Sequence, residues 1–365
     1  MKRHNQKTIL ILFLTIATIL ACNIPGQATP TDSPTIESPA TDIPVATETA
    51  VPPPAEIVIQ HTLIPVNLPE NQSGHAGDYD SSVTAAEKKS NGGDRFTFER
   101  FERPFNANTM DIYYPELDIV DTFVFQDETW IYGTIKVVNR SAINVSPYRF
   151  AMQLDTDVNG KGNYLVVALN PSSTDWTTDG VQVFQDANRD VGNLTAMVSD
   201  KGAPGGDGFE SNLFDSGKGN DPDSAWVRVS PNDANTVEFA VKRTLVGNPN
   251  LYLVDMWTGH GNLDPSQFDF SDHYTHDQAG AADPGLPNFY PIKSVFELDN
   301  SCRMAVGFEP SGSEPGLCPF IAPPKVEGGA TPASCTPSMT DLNSCIQFGG
   351  TWNYTTCQCD IPVIP

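Results

Sequence analysis

Residues 118–138 read Asp118-Ile119-Val120-Asp121-Thr122-Phe123-Val124-Phe125-Gln126-Asp127-Glu128-Thr129-Trp130-Ile131-Tyr132-Gly133-Thr134-Ile135-Lys136-Val137-Val138. Two runs rich in β-branched and aromatic residues, Ile119–Phe125 and Trp130–Val138, flank the polar segment Gln126–Thr129. Side chains of that kind suit a pleated, half-buried surface, and a short polar break between two such runs predicts an antiparallel hairpin. Working outward, the same signature recurs at Tyr148–Leu154, Tyr164–Leu169, Val181–Phe184, Leu194–Val198, Trp226–Val229, Val237–Val241 and Leu251–Trp257, separated by Gly, Asn, Asp and Pro. In the first of these, Tyr148, Phe150, Met152 and Leu154 alternate with Arg149 and Gln153, so one face is apolar. No segment carries a convincing amphipathic helical period. About nine short strands in some 200 residues predict an all-β fold, an antiparallel β-sandwich of jelly-roll-like type.

Composition agrees with that reading. The chain has 365 residues, of which 39% are hydrophobic and only 18% charged, with 28 Gly and 31 Pro. Its 21 Lys plus Arg against 45 Asp plus Glu give a formal charge of −24. Nucleic-acid binding needs a basic surface to neutralise phosphates, and none is visible. No Walker loop, GxGxxG or GxSxG occurs, so no nucleotide is expected. Met152, Met197 and Met256 fall in strand-like runs and read as core, so no haem is expected either.

The N-terminus reads MKRHNQK, followed by an uncharged apolar run, Ile9–Leu20, and Cys22. That run is too short for a comfortable membrane span and suits a secretory signal. Ile19-Leu20-Ala21-Cys22 resembles the bacterial lipobox. The resemblance implies a signal peptide over residues 1–21, lipidation of Cys22, and a protein anchored in the cell membrane and facing outward, with the membrane as its first partner. Residues 22–56 are rich in Pro, Thr and Ala and nearly free of large apolar side chains. Such a segment cannot bury enough surface to offset its ordering entropy, so a disordered tether is expected. Residues 57–94 read as an N-terminal strand (Ile57–Val66) and a polar loop, 95–320 as the sandwich, and 321–365 as a linker and Cys-rich tail.

The seven cysteines fit export. Setting Cys22 aside leaves Cys302, Cys318, Cys335, Cys345, Cys357 and Cys359, all near the C-terminus. Cys302–Cys318 is the natural local disulfide; the other four allow three pairings. The CxxC…CxxC spacing of a zinc site is absent.

The hairpin at 118–138 and the strand ending Leu154-Asp155-Thr156-Asp157 together resemble family 9 carbohydrate-binding modules and the related DOMON domains. That likeness spans some 60 residues. It implies a β-sandwich that binds sugars or, in some members, haem. The stretch Asn288–Cys318 is similar to C-terminal parts of uncharacterised bacterial lipoproteins.

Three constellations bear on chemistry. Asp155-Thr156-Asp157-Val158-Asn159-Gly160-Lys161 places Asp, Asp and Asn at alternate positions with Gly at the sixth, the start of a calcium loop. Asp155, Asp157, Asn159 and the Lys161 carbonyl are candidate ligands. Val166 stands where an EF-hand has its bidentate Glu, and strands flank the loop, so a further carboxylate would have to come from elsewhere. An ordinary Gly/Asn/Asp turn is the competing reading. Asp186, Asn188 and Asp190 repeat the alternate spacing. The Asp/Gly-rich run 205–223 reads as a surface loop. The second constellation is His260, His273 and His276 with Asp264, Asp269, Asp272 and Asp277, which suit a transition metal or acid–base chemistry. The third is aromatic. Trp130, Tyr132, Trp226 and Trp257 lie in strands and read first as core, whereas Trp176, in a polar loop, is the candidate for stacking on a sugar ring.

The expectation is a lipid-anchored, non-enzymatic binding protein, for carbohydrate first, with structural Ca²⁺. The alternatives are a metal-dependent hydrolase using His260, His273 and His276, and a surface structural or adhesion protein that binds another cell-surface protein.

Overall fold

The hairpin of residues 118–138 is present. Strands β3 (Ile119–Gln126) and β4 (Trp130–Val137) pair antiparallel, with a register shift between Ile119 and Asp121. The Asp127 carboxylate accepts from the amides of Thr129 and Trp130, both at 2.7 Å, and so closes the turn. The computed structural model describes residues 59–92, 99–107, 109–143, 147–189, 191, 208–280, 292–314, 316–318, 351–353 and 358–360; of these, only the backbone is described at 271, 272, 276, 351–353 and 358–360. The signal segment, Cys22, the tether, Asp190, Cys335, Cys345, Cys357 and the expected strand Leu194–Val198 lie outside the described residues, as does the Cys359 side chain.

The remaining strands are β1 (Gly74–Gly77), β2 (Glu102–Arg103), β5 (Arg149–Asp155), β6 (Tyr164–Leu169), β7 (Val181–Gln185), β8 (Ser211–Asp215), β9 (Ala225–Val229), β10 (Thr236–Lys242), β11 (Tyr252–Gly259), β12 (Leu298–Asn300), β13 (Met304–Val306) and the separate hairpin of β14 (Thr351–Asn353) and β15 (Gln358–Asp360). Two single-turn helices, α1 (Phe270–His273) and α2 (His276–Ala279), follow β11. The fold is therefore the expected antiparallel β-sandwich. One sheet has the order β1-β3-β4-β10-β9; the other runs β2-β12-β11-β5-β6-β7-β8, with β13 beside β12 on the same edge of β11.

The core lies between the sheets. Val124, Ile131, Ile135, Val237, Phe239 and Val241 from the first sheet pack with Phe150, Met152, Leu154, Val166, Val254 and Met256 from the second. The alternation read in Tyr148–Leu154 is borne out, since all four apolar members join this cluster. Gly133 sits where a Cβ would come within 2.7 Å of both Met152 Sδ and Met256 Cε, so the lack of a side chain lets the sheets approach. The large sheet is also covered on its outer face, where Ala151, Leu165, Val167 and Trp257 pack with Phe209, Phe268 and Phe270. This explains why β11 is buried at every position rather than alternating.

Several expectations need correction. Residues 59–66 form no strand. They run across the outer face of the small sheet instead, where the Asp223 carboxylate takes the amides of Thr62 and Leu63, at 2.9 and 2.8 Å, and His61 packs on Trp226. Two side chains and two amides competing for one carboxylate suit an irregular strap better than a ladder. The sandwich also starts before residue 95, because β1 pairs with β3 from Gly74↔Val124 to Gly77↔Asp121. Part of the run read as a surface loop, Ser211–Asp215, is strand β8, paired with β7. The Cys302–Cys318 disulfide is formed. It ties the β12–β13 junction to residue 318, whose amide donates to the Arg303 carbonyl at 2.9 Å.

Candidate functional site

The most unusual chemistry of the fold lies at one edge of the large sheet. In the β2–β12 pairing Glu102 stands directly opposite Asp299. Two carboxylates in one cross-strand pair repel each other. A third, Asp118, precedes β3 of the small sheet. Glu102, Asp118 and Asp299 are all buried, and one oxygen from each lies within 4.8 Å of the others. Among the described residues they are the one set of three His, Cys, Asp or Glu side chains that converges in this way. Asp78, just after β1, adds a fourth carboxylate whose charge acts on Glu102, Asp118 and Asp299.

Local structure uses one oxygen of each aspartate. Asp118 Oδ2 accepts from the Ser81 amide at 2.9 Å and from the Tyr113 hydroxyl at 2.5 Å, and Asp299 Oδ2 accepts from the Ile119 amide at 2.7 Å. The Ser81 hydroxyl donates to Glu102 Oε1 at 2.7 Å. Asp118 Oδ1, Asp299 Oδ1 and Asp78 Oδ2 remain buried with no hydrogen-bond donor. Burial, and then the neighbouring negative charges, push Glu102 and Asp299 well above the usual carboxylate range. Burial likewise lifts Asp118 to about 8, with the Tyr113 hydroxyl pulling the other way, and lifts Asp78 to about 6 against the nearby Arg100. The arrangement demands compensation, by protons or by a cation.

The Asp155 turn is organised differently. Asp155 Oδ2 accepts from the Gly160 amide at 2.7 Å and Oδ1 from the Asn159 amide at 3.3 Å. Asn159 Oδ1 takes the Lys161 amide at 2.8 Å, and Asn163 Oδ1 takes the Thr156 amide at 2.6 Å. Asp157 points toward Arg189, 3.8 Å away. The second acidic turn repeats the pattern, with Asp186 accepting from the amides of Arg189 and Val191, and Glu210 capping those of Ala187 and Asn188. Both turns are braced from within by Asx-type bonds. Arg303 also approaches Asp155 and Asp255. It donates to the Gly160 carbonyl at 3.0 Å and pairs with Glu99.

The histidines do not converge among the described side chains. His260 is buried edge-on to Tyr114, 3.3 Å from Glu297, whereas His273 is exposed at the end of α1. The strand aromatics Trp130, Tyr132, Trp226 and Trp257 are core. Trp176 is half-buried against Tyr132. Its indole N–H donates to the Val66 carbonyl at 2.8 Å, and the Arg228 guanidinium covers its ring at 4.4 Å. An open groove of about 430 Å³ lies elsewhere, beside the disulfide, lined by His75, Met304, Phe308, Glu309, Pro310 and Leu317. His75 is fixed there by stacking on Phe123 and by Asp121, 2.7 Å from its Nε2.

Sequence reasoning missed Asp78, Glu102, Asp118 and Asp299. They are far apart in the chain, and no spacing links them. The only signal is carboxylates beside apolar strand residues, as in Glu297-Leu298-Asp299 and Asp118-Ile119. No protein-family profile, curated protein or solved structure matches the chain.

Proposed function

We propose that the chain is an exported, lipid-anchored, non-enzymatic binding protein that takes a glycan in the groove beside the disulfide. The groove carries the reading. Its wall is held by Cys302–Cys318, and its lining includes the half-buried Phe308, His75 and the exposed Glu309. Sugar recognition uses that mixture, an apolar ring face for the pyranose and a few fixed polar groups for its hydroxyls. The openness of the groove suits a chain-like ligand better than a small one. The disulfide supports export, because such bonds persist in oxidising compartments. The lipobox-like Ile19–Cys22 and the Pro/Thr segment supply the anchor and the reach. The hydrolase reading rests on His260, His273 and His276, and the burial of His260 beside Glu297 gives it no support.

The test is a glycan array probed with the full chain, followed by titration of any hit against Phe308→Ala and Glu309→Gln. The expected result is binding to at least one glycan class, weakened tenfold or more in both variants. Absence of glycan binding, or binding untouched by both changes, overturns the reading.

A further inference from the structure

We infer that Glu102, Asp118 and Asp299 form a buried site for a hard divalent cation, Ca²⁺, which clamps the edge of the large sheet to the start of the small one. The inference is independent of the groove. Three features carry it. First, Glu102 and Asp299 are cross-strand partners on one face of β2 and β12, and Asp118 enters from the other sheet, so the ligands come from both layers. Second, Asp118 and Asp299 each spend one oxygen on local hydrogen bonds and keep the other buried without a donor. A buried anionic oxygen with no donor is costly, and a bound cation removes that cost. Third, the donors are all oxygen. Carboxylates without a nearby His or Cys select Ca²⁺ or Mg²⁺ over Zn²⁺. Several carboxylates in one place favour Ca²⁺, which tolerates irregular geometry and accepts two oxygens from one carboxylate, whereas Mg²⁺ keeps most of its water.

The charges around the site fit the assignment. Asp78 and Asp80 add negative charge, and the Arg100 guanidinium lies 4.0 Å from Asp78. The Ser81 and Tyr113 hydroxyls orient the carboxylates. A Ca²⁺ ion here would do what the Asp155 turn was expected to do, at a place the sequence does not mark.

The experiment is calorimetric titration of the EDTA-stripped full chain with CaCl₂ at pH 7.5, paired with thermal unfolding. The expected result is about one Ca²⁺ bound with high affinity and a rise in Tm of about 5 °C at a hundredfold excess over Kd. The double substitution Asp118→Asn/Asp299→Asn is expected to weaken binding at least 100-fold. In EDTA it should melt at or above the metal-free wild type, because neutral amides spare the buried cluster the proton uptake that its carboxylates need without a cation; that outcome separates a lost site from a lost fold. Asp155→Asn/Asp157→Asn is expected to bind Ca²⁺ as the wild type does. The inference is overturned if the wild type binds no Ca²⁺ at 1 mM on the order of extracellular levels, if it prefers Zn²⁺, or if the Asp155/Asp157 variant alone loses binding. A double variant that keeps wild-type binding, or that melts well below the metal-free wild type, also overturns it.

Discussion

Replacing Asp223 with Asn should release the strap formed by residues 59–66 without unfolding the sandwich. Asp223 is 1% exposed, and its carboxylate accepts from the Thr62 amide at 2.9 Å, the Thr62 hydroxyl at 2.9 Å and the Leu63 amide at 2.8 Å. His61 Nδ1 lies 2.7 Å from its other oxygen. Burial alone would raise this carboxyl, but those four partners outweigh it and hold it at about 2 instead of 3.8. The charged form is thus favoured over the neutral one by about 2 kcal/mol. The sign is that of a depressed carboxyl: the contribution is present above pH 4 and is lost as pH falls through about 2. The Asn variant imitates the neutral form. Hydrogen exchange at the Thr62 and Leu63 amides should therefore speed up by a factor of about 30, while amides of β9 and β10 keep their protection. Trp226 fluorescence should change as His61 leaves its ring, whose centroid is 4.6 Å away. Exchange within threefold of the wild type, or an equal loss of protection across β9 and β10, would refute the reasoning.

Reduction of Cys302–Cys318, which closes a loop of sequence separation 16, should cost about 3 kcal/mol on the chain-entropy estimate, read as a drop in Tm on adding dithiothreitol. Arg303→Gln leaves Glu99, Asp155 and Asp255 around a missing cation and should cost about 3–5 kcal/mol in chemical denaturation. That cost should shrink from pH 8 to pH 5, because burial lifts Asp255 to about 7 and Asp155 to about 6. By the same sign, folding takes up protons at these two groups, so in EDTA the wild-type Tm should rise as pH falls from 8 to 5; a flat or falling curve would contradict it. Gly307→Ala should destabilise by more than about 2 kcal/mol. Its φ is +81° and a Cβ would meet the Asn250 carbonyl oxygen at 2.0 Å, whereas at Gly77 a Cβ meets nothing within 4 Å, so Gly77→Ala should be near neutral.

The strands were legible where side chains obey a local rule. Tyr164–Leu169 matches β6 at both ends, and Tyr148–Leu154 differs from β5 by one residue at each end, because buried strands in this sandwich are bounded by polar turns. Gly74–Gly77 was not legible. Its sequence, Gly-His-Ala-Gly, lacks strand-forming side chains, and its place is set by pairing with β3. Strand β2 is two residues long, too short for any period. The Asp155 turn was found because its motif is contiguous; its internal hydrogen bonds depend on backbone geometry that residue spacing does not fix. The carboxylate cluster was illegible for the opposite reason. Register alone brings Glu102 opposite Asp299, and packing of the two sheets brings Asp118 to them.

The most direct measurement of the cation clamp is anomalous diffraction, at long wavelength, from a crystal of the full chain grown in CaCl₂. The expected result is a peak bounded by Glu102, Asp118 and Asp299. No peak there, or a calcium peak confined to the Asp155–Lys161 turn, would contradict it.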